Sequence, residues 1–214
     1  MKFKNALNGI SKIFTAEILD LIATFVIGIT SIFLLVPDKN VALLSAGTLA
    51  SIAGILMIIG AILNLVGIIQ ASKDERSFKA VIYLMILGVV VAVVAGFFNN
   101  IPKVSEISQA VSQIVDVLVS VLVILGFGNI ARQLGNTKIE NKAQTLFKII
   151  IVINVIVIAA RVALVYKNNF ANVAAIVLMI VALVLGVVQY IMYLSFLSKT
   201  KKMLQENVGE ESEK

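Results

Sequence analysis

Six long apolar stretches constrain this chain more than any other feature. They run over 14–36, 41–69, 79–98, 112–131, 147–166 and 171–197. About 20 apolar residues cross the hydrocarbon core of a bilayer, and each stretch approaches or exceeds that length. The links between them, 37–40, 70–78, 99–111, 132–146 and 167–170, are too short for a soluble domain. Pro37 and Pro102 both fall in links, so neither interrupts a helix. Composition agrees, with 60% of the 214 residues hydrophobic and 14% charged. A soluble domain is about half apolar and a quarter charged, and a fold this small has too much surface to leave so little charge for water. The expected fold is all-α: a polytopic integral membrane protein of six transmembrane helices. Residues 1–198 form one domain, and 199–214 a cytoplasmic tail without fixed structure, acidic over 205–214. The surplus length of the second and sixth stretches implies tilt or protrusion into the headgroups. The first is too long, and lacks the small-residue cleavage site, for a removed signal peptide.

The cations set the orientation. With six spans, Lys39, Lys103, Arg161 and Lys167 fall on one side. The other 14 of the 18 Lys and Arg (18 − 4) fall on the opposite side, with both termini. That side is the cytoplasm, and the membrane is the cell membrane. Topology accounts for the net charge of +6 without any nucleic-acid partner. Lys199, Lys201 and Lys202 are also placed to touch anionic headgroups. Lys12-Ile13-Phe14, Ser77-Phe78-Lys79 and Leu146-Phe147-Lys148 each precede an odd-numbered span. Two readings fit: three parallel helix hairpins, or the general preference for an aromatic and a lysine at the interface.

Absent residues exclude chemistry. There is no Cys and no His, so thiolate and imidazole nucleophiles, bases and metal ligands are missing. No phosphate-binding GxxxxGK[ST] loop occurs. The acids that could serve an intramembrane aspartyl site, Asp20 and Asp116, lie on different helices. The expectation is a non-enzyme with no cofactor and no metal.

A few polar residues inside the spans carry the functional candidates. Asp116 and Arg161 lie on consecutive antiparallel spans. Each is about 7 Å inside the outer interface, at 1.5 Å per residue. A charge at mid-bilayer costs about 2.5–3.5 kcal/mol, so a salt bridge is the simplest way to satisfy both. That pair reads either as a register-fixing device, with snorkelling by Arg161 as its variant, or as a substrate, ion or proton site. Ser108, Ser112, Asp116 and Ser120 recur every four residues, with Gln109 and Gln113 alongside. This polar face lines a cavity or, over 105–113, lies in the outer interface before the span begins. Glu17 and Asp20 form an acidic pair on one face at the inner end of the first span. Lys12, Lys79 and Lys148 are candidates to neutralise it. Ala42, Ala46, Ala50 and Gly54 form a small-residue seam that lets helices approach closely. Asn64, Asn154 and Gln189 are single polar groups within spans, suited to interhelical hydrogen bonds. The link 132–146, with Gly135-Asn136 as a turn signal, is a solvated linker or holds a short surface helix.

Lys12-Ile13-Phe14-Thr15-Ala16-Glu17-Ile18-Leu19 resembles the start of small uncharacterised bacterial multi-pass membrane proteins, a resemblance that implies no activity. Size, six helices and short links also resemble the substrate-binding subunits of energy-coupling-factor vitamin transporters. Those carry an AxxxA contact motif on the first helix. Here Ala42, Ala46 and Ala50 match the spacing but fall on the second.

The function expected from these features is non-catalytic: a scaffold, sensor or accessory subunit working through helix–helix contacts. Its partners would be membrane lipids and another membrane protein or a second copy. The alternative is a small transporter or permease component with an outward-facing polar cavity near Asp116 and Arg161.

Overall fold

The computed structural model describes residues 3–33, 39–98, 102–165 and 169–212. Within helices, the side chains of 32–33, 39–45, 102–103, 105–106, 109, 164–165, 169–170 and 210–212 lie outside that description. The described chain is all-helical: α1 (Lys4–Phe33), α2 (Lys39–Ala71), α3 (Ser77–Phe97), α4 (Pro102–Gln133), α5 (Thr137–Val165) and α6 (Asn169–Ser212). All six are long and apolar enough to cross a membrane.

The helices outrun the apolar stretches. α1 starts at Lys4 rather than Phe14, because Ala6, Ile10 and Ile13 continue a fully buried face towards the N-terminus. α4 carries 105–113 as its own first turns, with Pro102 at the first helical position, where a missing N–H costs nothing. Only Leu134–Asn136 remains of the link 132–146. Gly135 turns there at φ +70°, and Asn136 caps α5 by accepting from the Ile139 N–H at 3.1 Å. The rest of that link is helix, 132–133 ending α4 and 137–146 beginning α5. The tail expected to lack structure is helical as far as Ser212, because Leu197, Thr200, Met203 and Leu204 keep a buried face at helical spacing.

Contacts divide the chain into two compact units, 1–74 with 204–214 and 75–203. In the first, α1 and α2 pack antiparallel on small residues seven apart. A Cβ added at Gly9 would lie 2.5 Å from the Gly67 carbonyl oxygen. One seven-residue step along, Gly60 stands 3.5 Å from the Ala16 carbonyl by the same measure. A further step pairs Ala23 with Ala53, both buried. A strict heptad of Gly and Ala on both helices brings the backbones together in left-handed register. Asp74 closes the hairpin by accepting from the Ala6 N–H at 2.7 Å and from Asn5 Nδ2 at 3.0 Å. Lys12 Nζ donates to Gln70 Oε1 at 2.8 Å.

The second unit has its core at the Arg132 end of α4. Phe78 of α3 meets Phe127 edge-on, with ring centroids 4.8 Å apart at 61°. Gly126 makes room for that ring, since a Cβ there would lie 2.7 Å from Phe78 Cζ. Gly128 admits Ala143 of α5, whose Cβ would be 2.8 Å from one added at Gly128. Val123, Ile124, Ile130, Leu146 and Ile150 complete the buried set. Glu75 ties the turn by accepting from Ser77 Oγ at 3.1 Å and Gln133 Nε2 at 2.9 Å.

Candidate functional site

The Pro102 half of α4 packs on α5 without a core of that kind. Antiparallel register sets Gln113 beside Arg161, Val117 near Val157 and Ser120 near Asn154. Two grooves flank this seam. The first, about 320 Å³, is lined by Ala110, Gln113, Ile114, Val117, Leu118, Asn154, Val157, Ile158 and Arg161. The second, about 170 Å³, is lined by Asp116, Val117, Ser120, Ile150, Ile153, Asn154 and Gln189. Val117 and Asn154 border both.

The expected salt bridge is replaced by another contact. Arg161 Nη2 donates to Gln113 Oε1 at 2.6 Å. Asp116 lines the other groove, and among the described residues it makes no ion pair. The two charges lie on facing helices but on different sides of the seam. Gln113 and Asp116 are three residues apart, a net turn of about 60° around the helix, and they flank the seam, Gln113 on the larger groove and Asp116 on the smaller. Arg161 therefore rests its charge on a neutral amide.

The four-residue polar face of α4 is divided in the same way. Ser108 is buried and Ser112 half-buried, and Ser112 lines neither groove. Asp116 and Ser120 share the smaller groove, where Ser120 Oγ donates to the Asp116 backbone carbonyl at 2.9 Å. Asn154, expected to bond across helices, donates within α5 to the Ile150 carbonyl at 2.8 Å. Its amide oxygen is thereby left to the grooves, and Gln189 of α6 joins it in the smaller one.

The other candidates lie in the α1/α2 unit. Asp20 is half-buried over Gly60, its Oδ1 2.6 Å from where a Cβ on that glycine would stand. The glycine thus makes room for a carboxylate within the hairpin. Glu17, one turn away, is half-buried. Lys12 bonds Gln70 rather than either acid. The small-residue seam splits. Ala46 joins the buried heptad, whereas Ala50 is exposed and a Cβ on Gly54 would meet nothing within 4 Å. The Ala42 side chain lies outside the described residues.

Asp74 is the structural residue that sequence reasoning missed. It caps α1 from the far end of α2, and a cap supplied across 68 residues leaves no local signature.

Comparison of the chain with family models, curated proteins and solved structures returns no match.

Proposed function

We propose that this chain is an integral membrane protein of the cell membrane that crosses the bilayer six times, with both termini in the cytoplasm. It works without catalysis, through helix–helix contacts, as a scaffold, sensor or accessory subunit of a membrane complex. The observation that carries this reading is a second small-residue stripe on α2. Gly47, Ala50 and Ala61 are exposed and Gly54 half-exposed, and a Cβ on Gly47 or Gly54 would meet nothing within 4 Å. The first stripe of α2 is used up against α1. The second offers the same close approach to a helix of another subunit. The chain has no Cys, so single cysteines at Ala50 and Gly54 can be cross-linked in native membranes without background. An adduct of twice the monomer mass marks a second copy, and one of another mass marks a partner. Cysteines at Gly28 and Gly96, also open positions, serve as controls. Equal cross-linking at all four sites, or none at Ala50 and Gly54, sinks the proposal.

A second reading, a small transporter or permease component, is favoured by the groove that gathers Asp116, Ser120, Asn154 and Gln189. A carboxylate without an ion pair among the described residues, set among amide and hydroxyl groups, suits a cation or a polar solute. Single cysteines at Ser112, Asp116 and Ser120 test it. Reaction with a membrane-impermeant maleimide at Ser120 supports a water-accessible path. Labelling confined to positions before Val111 opposes one.

A further inference from the structure

The larger groove is apolar along its length and charged at one end only. Ile114, Val117, Leu118, Val157 and Ile158 form its walls. Arg161 stands at the end nearer Ala110, and Asn154 closes the other. A guanidinium has five N–H donors, and Gln113 accepts from one of its nitrogens. An amide oxygen takes up a donor but cannot neutralise a charge, and Asp116 lines the opposite groove. Among the described residues, a cation is therefore left with open donors at the mouth of an apolar channel. Along α4 the lining runs from Ala110 to Leu118, roughly 12 Å at 1.5 Å per residue. One leaflet of hydrocarbon is half of about 30 Å, a comparable length. At the other end Asn154 gives one of its two amide N–H donors to Ile150 and carries no charge, so no second charged group awaits a polar ligand there.

We propose that this groove holds one phospholipid, with its phosphate on the Arg161 guanidinium and one acyl chain laid along Ile114, Val117, Leu118 and Ile158 towards Asn154. The planar guanidinium fork matches phosphate oxygens two at a time and is more weakly hydrated than a lysine ammonium. A free anion would use the mouth and leave the apolar walls empty. A neutral acylglycerol would use the walls and leave the charge uncompensated. A phospholipid satisfies both. The outer-leaflet assignment of this lipid rests on the proposed six-span orientation. The binding chemistry does not.

Native mass spectrometry of the detergent-purified full chain, titrated with phosphatidylglycerol, monoolein or inorganic phosphate, tests the site. Wild type should retain one phosphatidylglycerol that millimolar inorganic phosphate does not displace. Arg161→Gln should weaken it about tenfold and leave monoolein binding unchanged, while Arg161→Lys recovers part of the loss. Leu118→Trp, which fills the groove from a side chain that is already 43% exposed, should weaken both lipids. Lys148→Gln, which removes a cation outside the groove, should change neither. The proposal is overturned if Arg161→Gln leaves phosphatidylglycerol binding intact or lowers monoolein binding equally. It is also overturned if phosphate alone displaces the lipid, or if Leu118→Trp has no effect. Orientation is read separately from an impermeant maleimide on Ile107→Cys in intact cells. Labelling only from the cytoplasmic side would refute the outer-leaflet assignment while the detergent titration still decides the groove.

Discussion

The α1/α2 hairpin and the α4/α5 pair are both antiparallel helix pairs of similar length, and they solve packing in opposite ways. In α1/α2, Gly or Ala recurs every seventh residue on both helices, so backbone meets backbone from Gly9 and Gly67 to Ala23 and Ala53. In α4/α5 that closeness is confined to the Arg132 end, where Gly128 admits Ala143. Further along, the facing positions carry Gln113, Val117, Ser120, Asn154, Val157 and Arg161, and grooves open on both flanks. Closely packed helices leave no room for a ligand. Where larger or polar side chains hold the seam open, space and unspent polar groups appear together. The comparison locates binding in the second pair and architecture in the first.

The largest effect should come from spoiling the sealed pair. Gly67→Leu forces a side chain into the Gly9 carbonyl and Ile13, which lie 2.7 and 2.8 Å from the Cβ position. Thermal unfolding in detergent should show a loss of about 3 kcal/mol, the upper range for overpacking. Gly54→Leu on the same helix should stay within about 0.5 kcal/mol of wild type. If the two substitutions cost the same, the heptad is not what holds the hairpin.

A second substitution tests whether α4 is two regions in one helix. Gly126→Ala places a methyl group 2.7 Å from Phe78 Cζ. It should cost about 2 kcal/mol, since the ring is wholly buried and held against Phe127. Leu118→Trp, on the grooved half, should leave stability nearly unchanged. Equal losses at the two positions would erase the distinction between the ends.

These contrasts also show which parts of the molecule the sequence announces. The six helices are plain because each apolar stretch is long and its links are short. The helix ends were misjudged, because hydropathy marks where a chain fits a bilayer, not where its hydrogen bonding stops. Ala6, Ile10, Met203 and Leu204 extend buried faces beyond the apolar blocks, and only burial reveals them. The four-residue spacing of Ala42, Ala46, Ala50 and Gly54 drew attention to small residues on the right helix. The interval that packs is seven, visible only when α1 and α2 are compared: 9, 16 and 23 against 67, 60 and 53. That Asp116 and Arg161 lie on consecutive helices was legible, because it follows from counting along the chain. Their partners were not, because which side of the seam a residue takes depends on how the two helices are rotated.

The clasp at the open end of the sealed hairpin should matter less than its seam. Asp74→Ala removes the acceptor for the Ala6 N–H and for Asn5. Loss of an N-cap costs about 1 kcal/mol. Because the seam from Gly9 onward is untouched, hydrogen exchange should quicken over residues 5–8 and stay slow beyond Ile13. Uniformly faster exchange along α1 would mean that the hairpin is held by its end rather than by its seam.

The smallest effect is expected where the sequence alone points to the largest. Were Asp116 and Arg161 a buried ion pair, removing either partner would cost about 3–5 kcal/mol, and exchanging the two charges would restore much of it. With Arg161 bonded to Gln113 and Asp116 in the other groove, the two positions are energetically separate. Asp116→Asn should shift stability by less than about 0.5 kcal/mol. Gln113→Ala should cost about 0.6 kcal/mol, the mean for an interhelical hydrogen bond within a membrane. The double exchange, Asp116→Arg with Arg161→Asp, should show no coupling beyond the sum of its single changes. A coupling energy above about 1 kcal/mol would put the two charges in contact, close the seam between the grooves, and make the α4/α5 pair a sealed structure like α1/α2.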